Sequence, residues 1–271
     1  MTRPIVALAI AVLLCMYALP ANADNVFFST GNPDGKIATA SRPSSPGTIE
    51  IETADDFVLT QTTSITGGSF TGLVPAGSTI LGVTIEFYHV FPVDSTVPPD
   101  GKVLTRNNSP SDVEFDSRST TSSNLSFSIT VLSPMFTAAN SVINGINPLP
   151  SQFTGGEGSV TGQEVVFDFT IDPETLPADH YFFVPQVELS NGDFLWLSAP
   201  KPAGGTDLQT WIRDSNLDPD WSRVGTDITH QGPFNAAFSL TTPEPSSFVL
   251  TGAGLLGLLL RRRARWGLRG R

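Results

Sequence analysis

Two runs, LSFSITV (125–131) and EVVFDFTI (164–171), alternate apolar and polar side chains residue by residue. In the first, Leu125, Phe127, Ile129 and Val131 share one face, and Ser126, Ser128 and Thr130 share the other. In the second, Val165, Phe167, Phe169 and Ile171 oppose Glu164, Asp168 and Thr170. A period of two is the signature of a strand with one buried face, because successive side chains of extended backbone point to opposite sides. The same pattern recurs at Val83, Ile85, Phe87, His89 and Phe91, and again at Ile49, Ile51, Phe57 and Leu59.

Working outward, further strands are predicted near 26–29, 62–73, 208–213 and 235–241. The stretch YFFVPQVELSNGDFLWLSA (181–199) reads as a hairpin turning at Asn191-Gly192, with Pro185 placing its first strand at an edge. Trp196 stands on a strand apolar on both faces, which marks it as core. GNPDG, VPPDG and PAGS are turn sequences. Two segments, 92–124 and 133–163, read as long soft loops rich in Pro, Ser, Gly and Asn. With 24 glycines and 22 prolines in 271 residues and no amphipathic helical period, the chain is predicted all-β, an antiparallel β-sandwich of jelly-roll-like type spanning 24–240.

Charge divides the chain. Residues 24–242 hold eight basic and 25 acidic residues, a net −17, whereas residues 261–271 hold six arginines. A body that acidic repels nucleic acid and anionic lipid. The sole cysteine, Cys15, falls in the N-terminal apolar stretch, so the remainder has no disulfide or thiolate chemistry and depends on a hydrophobic core.

The N-terminus, MTRPIVALAIAVLLCMYALPANADN, has a basic residue, a short apolar core and an Ala21-x-Ala23 site. It is predicted to be a cleavable signal helix, 1–23, with the mature chain starting at Asp24. At the other end, TTPEPSSFVLTGAGLLGLLLRRRAR (241–265) joins rigid Pro243-Glu244-Pro245 to an uncharged run, 246–260, followed by a basic tail, 261–271, whose stop is Arg261, Arg262, Arg263 and Arg265. Fifteen helical residues are short of the ~30 Å hydrocarbon core, which suits a transient transmembrane helix better than a lasting anchor. The basic block holds that end cytoplasmic and leaves the body outside the inner membrane.

Over the 23 residues from Pro243 to Arg265 this layout resembles the PEP-CTERM sorting signal throughout. The resemblance implies recognition by an exosortase, cleavage near the PEP motif, and a Gram-negative producer of exopolysaccharide. ADDFVLTQTTSITGGSFTGL (54–73) resembles the opening of jelly-roll-like modules of secreted bacterial proteins. SPSDVEFDSR (109–118) and PADHYFFVPQVELSNGDFLWLSAPKP (177–202) resemble bodies of PEP-CTERM proteins, with no activity attached.

For chemistry, the histidines are His89, His180 and His230, without metal or nucleophile-motif spacing; His89 reads as a core histidine. No catalytic residue is assigned. DSNLDPDW sets Asp214, Asn216, Asp218 and Asp220 at alternate positions, the first half of a calcium loop. Pro219 and Gly225 depart from that pattern, and the run also reads as an Asx-rich turn. Asp55 or Asp56 is expected to cap or turn a strand. Trp221 and Trp211 are candidates for stacking on sugar rings. The expectation is an exported, exosortase-processed surface or biofilm-matrix protein, non-catalytic and exopolysaccharide-associated, without a cofactor other than weakly indicated calcium. The alternatives are a polysaccharide hydrolase using a hidden carboxylate pair and a purely structural surface protein.

Overall fold

A computed structural model describes residues 25–90, 106–107, 114–146, 154–201, 208–217 and 220–243. The signal helix, the helix at 246–260 and the basic tail lie outside the described residues. No helix among the described residues is long and apolar enough to cross a membrane.

The strands are β1 (Asn25–Ser29), β2 (Ile37–Ala40), β3 (Ile51–Val58), β4 (Thr63–Val74), β5 (Ile80–His89), β6 (Arg106–Asn107), β7 (Glu114–Ser119) and β8 (Leu125–Ala138). There follow β9 (Asn140–Val142), β10 (Val160–Leu176), β11 (His180–Leu189), β12 (Leu195–Ala199), β13 (Thr210–Asp214) and β14 (Asp220–Arg223). One helical turn, Val224–Ile228, precedes β15 (Asn235–Ala236) and β16 (Phe238–Thr242). They form two sheets. The nine-stranded sheet runs β1-β16-β4-β12-β2-β9, with β10 joining β4 to β8 and β15 beside β12. The seven-stranded sheet runs β6-β14-β13-β3-β11-β5-β7. Antiparallel pairing dominates both sheets, and β2 and β9 pair in parallel.

The predicted alternation builds the core. Phe70, Phe167, Phe169, Trp196 and Phe238 of the nine-stranded sheet pack with Phe57, Phe87, Tyr181 and Phe183 of the other. Phe70 stacks on Phe167 at 4.8 Å, and Phe183 on Phe238 at 4.9 Å. Each such ring removed from water contributes roughly 1.5–3 kcal/mol. Trp196 is core as expected, its indole N–H donating to the Ala237 carbonyl at 2.9 Å. Val26–Pro243 is one compact unit containing every core residue among those described, so the body carries its own core.

Several expectations are corrected. The 181–199 stretch turns at Asn191-Gly192, where Gly192 has φ +72, but it is not a hairpin. Strand β11 enters the seven-stranded sheet and β12 the nine-stranded one. Both strands present apolar inner faces, and alternation does not say which sheet receives them. Strand β11 is not an edge either, lying between β3 and β5. Its pairing with β3 stops at Phe183. Beyond that point the Pro185 carbonyl takes the Ser41 hydroxyl at 2.6 Å, so the missing proline N–H falls where β3 has already left.

The 133–163 segment is largely structured. Strand β8 runs to Ala138, β9 follows, and β10 begins at Val160. Between them the Glu157 carboxylate accepts the backbone N–H groups of Ile143, Asn144 and Gly145 at 2.8–2.9 Å, holding a glycine-rich path in place. Of the 92–124 segment, 114–119 is strand β7. The sandwich expected to end at 240 runs two residues further, because β16 pairs with β4 and continues through Thr242.

Candidate functional site

The strand register brings together three groups of ionisable side chains that are far apart in sequence. The first lies on the outer face of the seven-stranded sheet. Alternation puts Glu52, Ala54 and Asp56 of β3 opposite the face that carries Ile51, Asp55 and Phe57. Across β13, Arg213 stands opposite Glu52 and Trp211 opposite Ala54. Across β5 and β11, Tyr88 stands opposite Phe182.

Arg213 Nε donates to Glu52 Oε2 at 2.5 Å, and its terminal nitrogen donates to the Tyr88 hydroxyl at 3.2 Å. Tyr88 donates to Glu52 Oε1 at 2.8 Å, with Glu86 Oε2 at 3.4 Å. Burial, then the Glu52 and Glu86 charges, hold the phenol far above its ordinary range, so it stays a donor. The Arg213 guanidinium also lies 4.3 Å from the Trp221 ring centroid. Trp211, Phe182 and Trp221 complete a small apolar cluster.

Trp211 and Trp221 are both 0% exposed. The stacking expectation is corrected accordingly: Phe182, Tyr88, Arg213 and Arg223 occupy their ring surroundings, and neither presents a free face. An acidic loop beside Trp221 suggested the surface, whereas the aromatic partners come from strands remote in sequence. The Trp221 indole N–H is buried with no acceptor among the described residues.

The second group is Asp55, Asp56 and His180. Neither aspartate caps or turns the strand, since both lie within β3 and are buried. Asp56 Oδ2 meets His180 Nε2 at 2.9 Å, and Asp56 Oδ1 accepts the Gln209 N–H at 2.8 Å. Asp55 points the other way, between the sheets. It accepts the Thr210 hydroxyl at 2.9 Å and the backbone N–H of Ala236, tying β13 and β15 to one carboxyl. Burial and the neighbouring Asp56 charge push the Asp55 carboxyl well up from 3.8. His89 is only half-buried rather than core, contacting the Tyr181 hydroxyl at 3.3 Å from the end of β5. His230 is exposed.

The third group clamps an edge of the sandwich. Arg118 of β7 reaches Asp116 Oδ2 and, on β10, Glu174 Oε2, both at 2.5 Å. Burial, then the hydrogen-bonded Asp116, pushes the Glu174 carboxyl up to about 7. Asp116 also feels burial, but the bonds from Glu174 and Arg118 outweigh it and lower its pKa. The folded state therefore retains a proton on Glu174 that the unfolded chain releases near 4.5. That contribution to stability is complete below pH 4.5 and is lost as pH rises towards 7. Glu174→Gln is expected to flatten this part of the stability profile, as measured by urea unfolding at stepped pH. An unchanged slope would place the retained proton elsewhere.

In the acidic run, Asp214 Oδ1 accepts the N–H groups of Asn216 and Leu217 at 3.0 and 3.1 Å, which is the Asx turn. Asp218 lies outside the described residues, and Asp220 opens β14. Among the described residues no group of three or more acidic or histidine side chains is placed to hold a metal ion.

The sorting residues follow directly from the fold. Strand β16 places Thr241 opposite Gly67 in the nine-stranded sheet, and Pro243 is the next residue after the strand's end at Thr242. Glu244, Pro245, Arg261, Arg262, Arg263 and Arg265 lie outside the described residues, as do Ala21, Ala23 and Asp24 of the signal site. No curated protein and no solved structure matches the chain. Residues 241–263 match the family model of the PEP-CTERM protein-sorting motif. The chain thus carries the sorting motif of exosortase substrates and is an exported protein processed at the membrane.

Proposed function

We propose that the sandwich is the cargo of this sorting route: a non-catalytic component of the cell surface or biofilm matrix that associates with exopolysaccharide. The observation that carries the reading is the junction at Thr242. The last strand of the sandwich core runs directly into the motif matched at 241–263, so sorting delivers the sandwich itself. The sorting motif's resemblance supplies the polysaccharide setting. The ionisable groups described above support a non-catalytic role, since Arg213, Arg118 and His180 each engage a carboxylate of the fold.

The test is saturable binding of residues 24–243 to exopolysaccharide purified from the producing organism, followed by titration calorimetry with calcium and with chelator. Reversible binding without cleavage is the expected result. Loss of binding in chelator would assign Asp214, Asn216, Asp218 and Asp220 a calcium role. No binding in either condition would overturn the polysaccharide reading and leave a purely structural surface protein.

A second reading has one specific observation in its favour. Glu52 and Glu86 both approach the Tyr88 hydroxyl, which puts their nearest oxygens no more than about 6 Å apart. A retaining glycosidase holds its two carboxyl groups about 5–5.5 Å apart, a separation that this upper bound admits. Release of reducing ends that disappears in both Glu52→Gln and Glu86→Gln would establish this hydrolase in place of the binding protein.

A further inference from the structure

Strand β8 is hydrogen-bonded to β10, and no second neighbour pairs with it among the described strands. It is 14 residues long and contains no charged residue. Long edge strands ordinarily carry lysines, prolines or bulges, because their unpaired backbone groups otherwise recruit another strand. The C-terminal half of β8 has such protection: Pro134, and two register shifts against β10 between Gly162 and Val165. The N-terminal half has none. Leu125–Val131 runs against Ile171–Val165 without a break. Here the apolar stripe leaves the core, with Ile129 and Val131 47% and 49% exposed. Leu132 and Met135 continue the exposed apolar surface.

Charge selects the occupant. The body from 24 to 242 carries a net −17, so two copies repel over most of their surface. Leu125–Val131 is a neutral strip on that body, where two copies meet without opposing like charges. We propose that this edge pairs with the same edge of a second copy of the chain, antiparallel about a two-fold axis at Ser128. That register uses the whole unbulged segment. It sets Leu125 opposite Val131 and Phe127 opposite Ile129, with Ser126 opposite Thr130 on the other face. The contact is isologous and closes at a dimer, continuing the nine-stranded sheet from one copy into the next.

The experiment is sedimentation velocity of residues 24–243 over a concentration series, beside Ile129→Lys. The parent chain is expected to dimerise, and the variant to weaken the dimer by about 10- to 100-fold, because each lysine replaces the apolar partner of Phe127 with a charge and the two lysines stand diagonally across the axis. Its thermal midpoint should be nearly unchanged, because the side chain is half exposed. A second arm uses the chain's lack of cysteine beyond Cys15. Ser128→Cys is expected to form a disulfide-linked dimer on mild oxidation, and Thr60→Cys, on an exposed turn, is not. A monomeric parent chain overturns the proposal, as does a dimer indifferent to Ile129→Lys or equal cross-linking of the two cysteine variants. No arm contains polysaccharide, so the outcome is independent of the binding reading above.

Discussion

Asp55→Asn is expected to leave the protein as stable as the parent chain at neutral pH, or more stable, whereas Asp55→Ala costs about 3–5 kcal/mol. The carboxyl is fully buried between the sheets, and Oδ2 alone receives both donors, the Thr210 hydroxyl and the Ala236 N–H. Asn keeps an acceptor in that place and removes the charge. Ala strands the Ala236 N–H at about 1–3 kcal/mol, leaves the Thr210 hydroxyl only the Phe234 carbonyl at 3.2 Å, and opens a cavity between the sheets that adds a further cost. The pH dependence separates the two effects. Burial and the Asp56 charge raise the folded pKa above 3.8, so the folded state binds more protons than the unfolded chain. The stability from protonated Asp55 is complete below that pH and declines as pH rises towards the folded value. Asp55→Asn should abolish that decline, as followed by chemical denaturation from acidic to neutral pH. Loss of several kcal/mol in Asp55→Asn at neutral pH would show instead that the folded protein needs the ionised carboxylate.

Arg213→Ala is expected to destabilise the body by about 3–5 kcal/mol, lowering the thermal midpoint by roughly 10 °C. The Arg213 and Glu52 side chains are 5% and 9% exposed, so removing the cation leaves a buried carboxylate without its partner. Trp221 loses its cation–π contact at the same time. The double substitution Arg213→Met with Glu52→Leu should recover most of the loss, because a well-packed apolar pair avoids the desolvation of two ions. Tyr88 then keeps Glu86 as its acceptor. Calorimetric unfolding of Arg213→Met, of Glu52→Leu and of the double variant gives the coupling energy directly. Additive losses would show that the pair is not energetically coupled.

These two sites also show where sequence reading stops. Glu52 and Arg213 are 161 residues apart, as Asp56 and His180 are 124 apart. None of these four residues announces its partner in the sequence, and only the β13–β3–β11 order makes them neighbours. Asp55 and Asp56 read as turn residues because two adjacent carboxylates inside a buried strand are costly unless partnered. Their partners come from three separate places in the chain: His180, the adjacent Gln209 and Thr210, and Ala236.

From sequence alone, periodicity determined the all-β class, and the core stripes of β5 and β10 were legible because a strand's buried face is set by local alternation. The PEP-CTERM motif was equally legible, since it is a contiguous signal read by composition and order. Tertiary structure alone decided which sheet each strand joined, that β11 and β12 part company at Gly192, and that Trp211 and Trp221 are enclosed. It also decided that the 125–131 stripe, identical in pattern to its neighbour at 164–171, lies on an edge. Alternation assigns a side chain to a face, but burial requires a second layer over that face. Whether a second layer is present depends on strand order, which is a property of contacts between residues distant in the chain.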